Sequence, residues 1–428
     1  MKNDARGETD RMVWWGKTVA LALLAGMLIA AAVVGWRLSG LPYLDTPDKF
    51  FYDLRYLIFA HKEASARKEF AIVSISDRSL DGYPSLKPVD RRLLARLVDE
   101  LLASDVRAIG LAFQFDRRGA DAADQALQTA IAAGGGKVAV GVIDKRSGES
   151  GDRLAFQNEF LAAIPEAKRG HLYFDGQRRG LGQQPDLAVR FIARRSGVAD
   201  EQPESLAEAV FEAAGETVED IGQTRVVPEG NPGPHIAWTQ PIADNGARTF
   251  TLIEIPSHGG PQSTEPLLSE EQREVLRGRI VIVGADIESN DRHLTPFSVG
   301  GGERMSNAEI HTQIAAQLKD GRRVTTLSLQ YETVLAFAIG ALAFLIGYAR
   351  AVRRDRPYVV AGNMDYFKVG IPLALFGAAA FAFSSTILPS DTMLYSALGG
   401  VMAGHFGHNN LSGFSAIFAD TPENTASP

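Results

Sequence analysis

The stretch EFAIVSISDRSLDGYPSLKPVDRRLLARLVDELLASDVRAIGLAFQF, residues 69–115, decides how the rest of the chain is read. After Glu69 it opens with an apolar run, Phe70 to Ile75, interrupted only by Ser74 and ended by Ser76-Asp77-Arg78. A short continuous run bounded by turn residues predicts a strand buried on both faces. From Pro88 to Ser104, residues Leu93, Leu94, Leu97, Val98, Leu101 and Leu102 recur with the helical period, and Asp90 stands where an N-cap belongs. A second run, Ala108 to Phe115, ends at Asp116-Arg117. An alanine-rich helical segment (Asp121 to Ala133) then leads to a third strand, Lys137 to Ile143, followed by Asp144. Strand, helix, strand, helix, strand predicts parallel βαβ units, hence an α/β fold: a mostly parallel sheet with helices on both faces.

Beyond this core the pattern is looser. GHLYFD (Gly170 to Asp175) reads as a strand, and Ser205 to Ala214 as a helix opened by a Ser205–Glu208 capping box. From Gly215 to Gln272 the chain is rich in Gly, Pro and polar residues and is expected to hold insertions. Order returns with GRIVIVG (278–284), followed by a crowd of polar residues: Asp286, Glu288, Asp291, Arg292, His293 and Thr295. A last helix, SNAEIHTQIAAQLKDG (306–321), has a Ser306–Glu309 capping box and a Gly321 stop, with Ile310, Ile314, Ala315 and Leu318 as its apolar face.

The 428 residues include 44 basic and 51 acidic ones, a net charge of −7, which argues against a nucleic-acid partner. There is no cysteine, so thiolate catalysis, cysteine zinc sites and disulfides are excluded. Apolar residues gather at the two ends. Thr18 to Trp36 carries no charge and is flanked by Trp14, Trp15 and Trp36. It just spans a hydrocarbon core of about 30 Å and exceeds a signal-peptide core, so it reads as an uncleaved anchor. Three further spans are predicted at 331–349, 369–388 and 393–406, the last with small residues Ala397, Gly400, Ala403 and Gly404 suited to close packing in lipid. The loop 350–368 carries Arg350, Arg353, Arg354, Arg356 and Lys368, whereas PSDT (389–392) carries no basic residue. The positive-inside rule then puts the tail 1–17, the loop 350–368 and the tail 407–428 in the cytoplasm. Residues 37–328 form an extracytoplasmic domain on a four-helix transmembrane base.

The polar groups after the predicted strands are the candidate ligand site: Asp77, Arg78, Asp116, Asp144, Asp291, His293 and Thr295, with His311 on the last helix. In open parallel sheets ligands bind beyond the carboxyl ends of the strands, where these residues fall. The alternative reading is structural: Asp291 caps its loop, His293 is partly exposed, and His311 hydrogen-bonds a neighbouring loop. Arg178 and Arg179 in a glycine-flanked turn read either as an anion site or as a solvated turn. HExxH, GxSxG, kinase and cyclase signatures do not occur, so no enzyme, metal or cofactor is expected.

These motifs, taken in order, resemble the second family of CHASE domains, extracellular sensory modules attached to cyclases and histidine kinases. The resemblance rests on GRIVIVG, Asp291-Arg292, Thr295-Pro296 and Glu309-Ile310-His311, with DKFFYDLRYL (48–57), Ile75-Ser76-Asp77, Arg91 and YFDGQRRG (173–180) in support. It covers residues 45 to 405. The chain differs from the family pattern at Ala112, where an aspartate is common, and at Ser306-Asn307-Ala308, where a glycine is expected. The resemblance implies a sensory protein anchored in membrane lipid. With no output domain recognisable in the sequence, its expected partner is a separate cytoplasmic signalling protein or an integral membrane complex, and analogy suggests a homodimer.

Overall fold

The computed structural model describes residues 16–32, 35, 46–60, 65–83, 89–144, 151–174, 188–190, 192, 204–217, 236–241, 249–287, 292–299, 304–322, 324–353, 386–387, 393 and 395–403. The chain divides into two compact units: Tyr56–Val324, and Met1–Arg55 together with Thr325–Pro428.

The first unit runs β1 (Phe70–Ser76), α1 (Arg91–Ala103), β2 (Ala108–Leu111), α2 (Asp121–Gly134), β3 (Val138–Val142), α3 (Gly151–Ala162) and β4 (Lys168–His171). It continues with β5 (Glu204–Ser205), α4 (Leu206–Ala213), β6 (Thr251–Glu254), α5 (Glu270–Leu276), β7 (Ile280–Asp286), β8 (Arg292–His293), β9 (Met305–Ser306) and α6 (Asn307–Asp320). Seven strands form one sheet in the order β5-β4-β3-β2-β7-β1-β6. All its pairings are parallel, as the βαβ pattern predicts. The apolar run of β7 lies between β1 and β2 and pairs with β1 along its whole length, from Phe70↔Ile280 to Ser76↔Asp286.

Alternate strand residues face opposite ways. On the first face Val73, Ile75, Leu111, Val140, Val281 and Val283 join the leucine stripe of α1 in one apolar cluster. Leu127, Phe160 and Leu276 bring α2, α3 and α5 to the same cluster. Asp90 caps α1 by accepting from the Arg92 amide at 2.9 Å. The second face combines Phe70, Ile72, Ile280 and Ile282 with glycines where helices approach most closely. A Cβ added at Gly284 would lie 2.6 Å from that of Ala308, so β7 admits α6 only because position 284 has no side chain. Gly170 meets the backbone of Leu206 in α4 in the same way. Both predicted capping boxes, Ser205–Glu208 and Ser306–Glu309, are present, and Gly321 ends α6 in the left-handed region at φ 61°.

Several expectations are corrected. β2 leaves the ladder after Leu111 rather than Phe115; Ala112 still donates to Val283 O at 2.8 Å, and Phe113 and Phe115 stay buried outside the strand. β4 is Lys168–His171, not Gly170–Asp175. The expected insertion region contributes edge strand β6 and helix α5, which has its own capping box, Ser269–Gln272. α3 adds a helix between β3 and β4, with only Gln157, Phe160 and Leu161 buried. Residues 236–240 cover the back of α6. The Gln317 Oε1 accepts from Ala237 N at 2.7 Å, while Gln313 accepts from Thr239 N at 3.1 Å and donates to its carbonyl at 2.9 Å. The helix is consequently buried on its polar side as well, at His311, Thr312, Gln313 and Gln317.

At the sheet's amino-terminal edge an ion network gathers the ends of several elements. Lys319 of α6 meets Glu216 at 2.7 Å and Glu69 at 3.5 Å, and Arg107 joins the same two carboxylates.

In the second unit, Leu329–Ala349 is long and apolar enough to cross a membrane, and Gly16–Ala32 is a shorter apolar helix. Small residues mediate their packing. A Cβ at Gly26 would lie 2.9 Å from Phe337 O, and one at Gly400 would collide with Gly340 and Ala343. Large side chains point outward: Leu24, Met27, Leu28, Val334, Leu342 and Met402 are all exposed. Most of the predicted span 369–388 lies outside the described residues, and Thr386–Ile387 near its end pair as a strand with Thr325–Thr326. Residues 395–403 are helical, within the predicted 393–406.

Candidate functional site

Because the strands are parallel, their carboxyl ends share one edge. β1 and β2 lead into α1 and α2 on the first face, whereas β7, between them, leads through β8 and β9 to α6 on the second. Connections that leave neighbouring strands for opposite faces open a crevice at their carboxyl ends. The stretch GRIVIVGADIESNDRHLTPF (278–297) therefore stands at the topological switch point of the sheet.

Its polar groups are largely bound to one another. Arg292 donates to both carboxylate oxygens of Asp286, from Nε at 2.6 Å and Nη2 at 3.0 Å. The antiparallel pair β8–β9 fixes this loop, with Arg292 opposite Ser306 and His293 opposite Met305. His293 Nε2 bonds the Asn307 Oδ1 at 2.8 Å. Thr295 is fully buried and braces the turn Pro296–Val299: its amide donates to Ser298 Oγ at 3.2 Å, and Ser298 N donates back to its carbonyl at 2.9 Å. Asp291 lies outside the described residues.

The other candidates occupy the same edge without converging. Asp77 and Arg78 are exposed where β1 passes into a single 3-10 turn, and Asp77 makes no cap bond. Asp116 is buried in an ion pair with Arg153 of α3, and Asp144 is buried beyond β3. From β1 to β3 there are three inter-strand spacings, about 14 Å, so these carboxylates form a row along the edge. Arg91, the arginine of the family resemblance, is structural: its Nε donates to Asp124 at 3.2 Å and its guanidinium lies 4.6 Å from the Phe115 ring. Burial lowers its pKa, against the opposing pull of Asp124.

His311 stands apart from the others. It is fully buried, and neither ring nitrogen has a hydrogen-bond partner, so the expected bond to a neighbouring loop is absent. Phe174 packs between His311 and His293, with centroids at 4.9 and 5.3 Å. Burial, then the proximity of His171 and His293, pushes the His311 pKa down to about 3. Burial also lowers that of His293, opposed by its bond to Asn307 and reinforced by Arg304. No cluster of three or more ligating side chains suited to a metal occurs among the described residues. Between β1, β6 and α6 lies a small cleft of about 20 Å³, lined by Ile72, Phe250, Leu252, Met305 and Glu309. Sequence reasoning missed His171, Phe174, Arg153 and Asn307; only their neighbours in space, not their spacing along the chain, mark them.

A comparison with protein-family models matches the CHASE2 domain over residues 28–348. The chain belongs to the CHASE2 domain family. No match was found among curated proteins or solved structures. CHASE2 domains are extracellular sensory modules, and the coarse function of this chain is accordingly sensory. The Ser306-Asn307-Ala308 departure from the family pattern has a place in the structure: Ser306 supplies the cap and Ala308 fills the space above Gly284.

Proposed function

We propose that this CHASE2 protein is a multi-pass membrane protein whose extracytoplasmic domain (37–328) senses a condition or ligand and relays it through a separate partner, with no catalysis of its own. The observation that carries this reading is continuity along the chain. Helix α6 starts at the switch point, and only eight residues (321–328) separate its end from the helix Leu329–Arg353. A change in how α6 is seated thus has a short covalent path to a membrane-length helix. The outward display of large apolar side chains in the second unit supports immersion in lipid, because a bundle in water would turn them inward. The four predicted spans and cytoplasmic termini belong to this proposal.

A specific observation favours a second reading, an accessory subunit of a membrane complex that keeps the sensory fold as a scaffold. Asp116, Asp286 and His293 are already engaged by Arg153, Arg292 and Asn307, which leaves fewer groups for a ligand. Mild-detergent purification of the tagged full-length protein from its own membranes, with the stoichiometry of co-purifying chains measured, separates the two. Substoichiometric recovery of a cytoplasmic signalling protein supports relay. A constant ratio to other integral membrane subunits overturns relay in favour of the scaffold.

A further inference from the structure

The seating of α6 on the sheet contains buried titratable groups that neither a scaffold nor a relay requires. His311 on α6 and His171 at the end of β4 are each 0% exposed, and His293 lies at the rim with Phe174 against it. The charged groups on the elements packed around α6 are already engaged. Asp286 of β7 holds Arg292, and Glu208 of α4 and Glu309 of α6 itself sit in their capping boxes. Glu212 of α4 faces Lys168 at 3.9 Å, and Glu69, just before β1, faces Lys319 and Arg107. The same short turn before β1 adds Arg67 and Lys68, Arg304 lies near His293, and β1 and β9 carry no titratable side chain. Asp320 of α6 holds Arg322 at 3.0 Å, so no carboxylate on α6 or on the described elements packed against it remains to receive an imidazolium at His311.

We propose that this histidine cluster makes the docking of α6 acid-sensitive: a proton taken from solvent onto His311 favours a state in which α6 has lifted from the sheet and the ring is hydrated. A buried charge without a partner is costly, so the docked state excludes the proton. The sign follows from linkage. In the lifted state the imidazole titrates at its ordinary value of 6.5, whereas in the docked state it titrates at about 3. Above 6.5 both states are neutral and docking does not change with pH. Below 6.5 the lifted state alone binds the proton, so its population rises by up to tenfold per pH unit, about thirtyfold between pH 8 and pH 5. The inference rests on the α/β unit alone and is independent of the partner identified by co-purification.

The test is amide hydrogen exchange of the full-length protein in nanodiscs between pH 8 and pH 5, corrected for intrinsic exchange rates, with α1 as internal reference. Opening of α6 should increase about thirtyfold while α1 holds, and His311→Phe should remove most of that increase. Unchanged protection of α6 across the range, or a full increase retained in His311→Phe, overturns the proposal. If the variant does not fold, selectively labelled histidine resonances of the wild-type protein decide. A His311 ring that titrates near 6.5 while α6 stays protected overturns it, and a ring that stays neutral until α6 loses protection upholds it.

Discussion

The two faces of the central sheet are built from different materials. On the first, α1, α2, α3 and α5 close over Val, Ile, Leu and Phe side chains in a continuous apolar cluster. On the second, α4 and α6 approach the strands closely at Gly170 and Gly284, and α6 buries His311, Thr312, Gln313 and Gln317 along with its aliphatic residues. Apolar burial is diffuse and indifferent to pH, because no single group decides it. A polar interface depends on each partner being present and in the right protonation state. The first face therefore fixes the fold, and the second is where a conditional motion can be placed at small cost to the whole.

The largest expected effect lies on the first face. Leu97 is fully buried in the middle of α1, and Leu97→Ala should destabilise the α/β unit by about 2–5 kcal/mol through lost transfer energy and the cavity left behind. Chemical denaturation of the full chain measures this, and the loss should be the same at pH 8 and pH 6. On the second face, Gly284→Val should cost about 1–3 kcal/mol by overpacking, because its first carbon already meets Ala308. Here hydrogen exchange should rise in α6 while α1 keeps its protection, and adding Ala308→Gly should recover part of the loss. Equal loss of protection in α1 and α6 would break the contrast between the faces.

The same contrast explains what could be read from the sequence. The leucine stripe of α1 and the apolar runs of β1, β3 and β7 announce themselves, because burial against a large apolar face imposes a strict period. The end of β2 was overestimated because Phe113 and Phe115 stay buried after the ladder stops, and hydrophobicity does not report pairing. β6 was lost because an edge strand of four residues, with only Ile253 buried, carries little pattern. Gln313 and Gln317 lie outside the apolar stripe of Ile310, Ile314, Ala315 and Leu318, yet they bind the backbone of residues 236–240, a contact across more than seventy positions. Asp77 and Asp144 lie one and two residues past their strands and Asp116 five past Leu111, and their separation along the edge depends on a strand order in which β7 is inserted between β1 and β2.

Gln313 gives the next prediction. Its amide both accepts from and donates to Thr239, a residue with no exposed surface. Gln313→Leu removes both bonds and leaves a buried N–H and C=O without partners, at a cost of about 1–3 kcal/mol. The loss should appear first as proteolytic nicking around residues 236–240 and only later as unfolding. Global unfolding with no local nicking would mean that the segment is part of the rigid fold rather than a cover over α6.

The smallest expected effect compares two caps of the same chemistry. Ser269 and Ser306 each form a capping box, the first on α5 and the second on α6. Alanine at either position removes the bond that the N3 amide donates to the serine oxygen, worth about 1 kcal/mol. The consequences should differ with the face. α5 is pinned independently, since Glu100 of α1 accepts from Leu267 N and Leu268 N at 2.8 and 3.0 Å and from Arg273 at 3.0 Å. Ser269→Ala should therefore loosen only the first turn of α5. α6 relies on its cap where β9 meets β8, beside the bond from His293 to Asn307, so Ser306→Ala should raise exchange along the whole helix by about fivefold. If the polar interface is what makes α6 conditional, opening of α6 in Ser306→Ala should still rise about thirtyfold from pH 8 to pH 5, at a constant fivefold above the wild-type protein, whereas opening of α5 in Ser269→Ala should not change with pH. Parallel pH profiles for the two variants would place the acid sensitivity elsewhere in the unit.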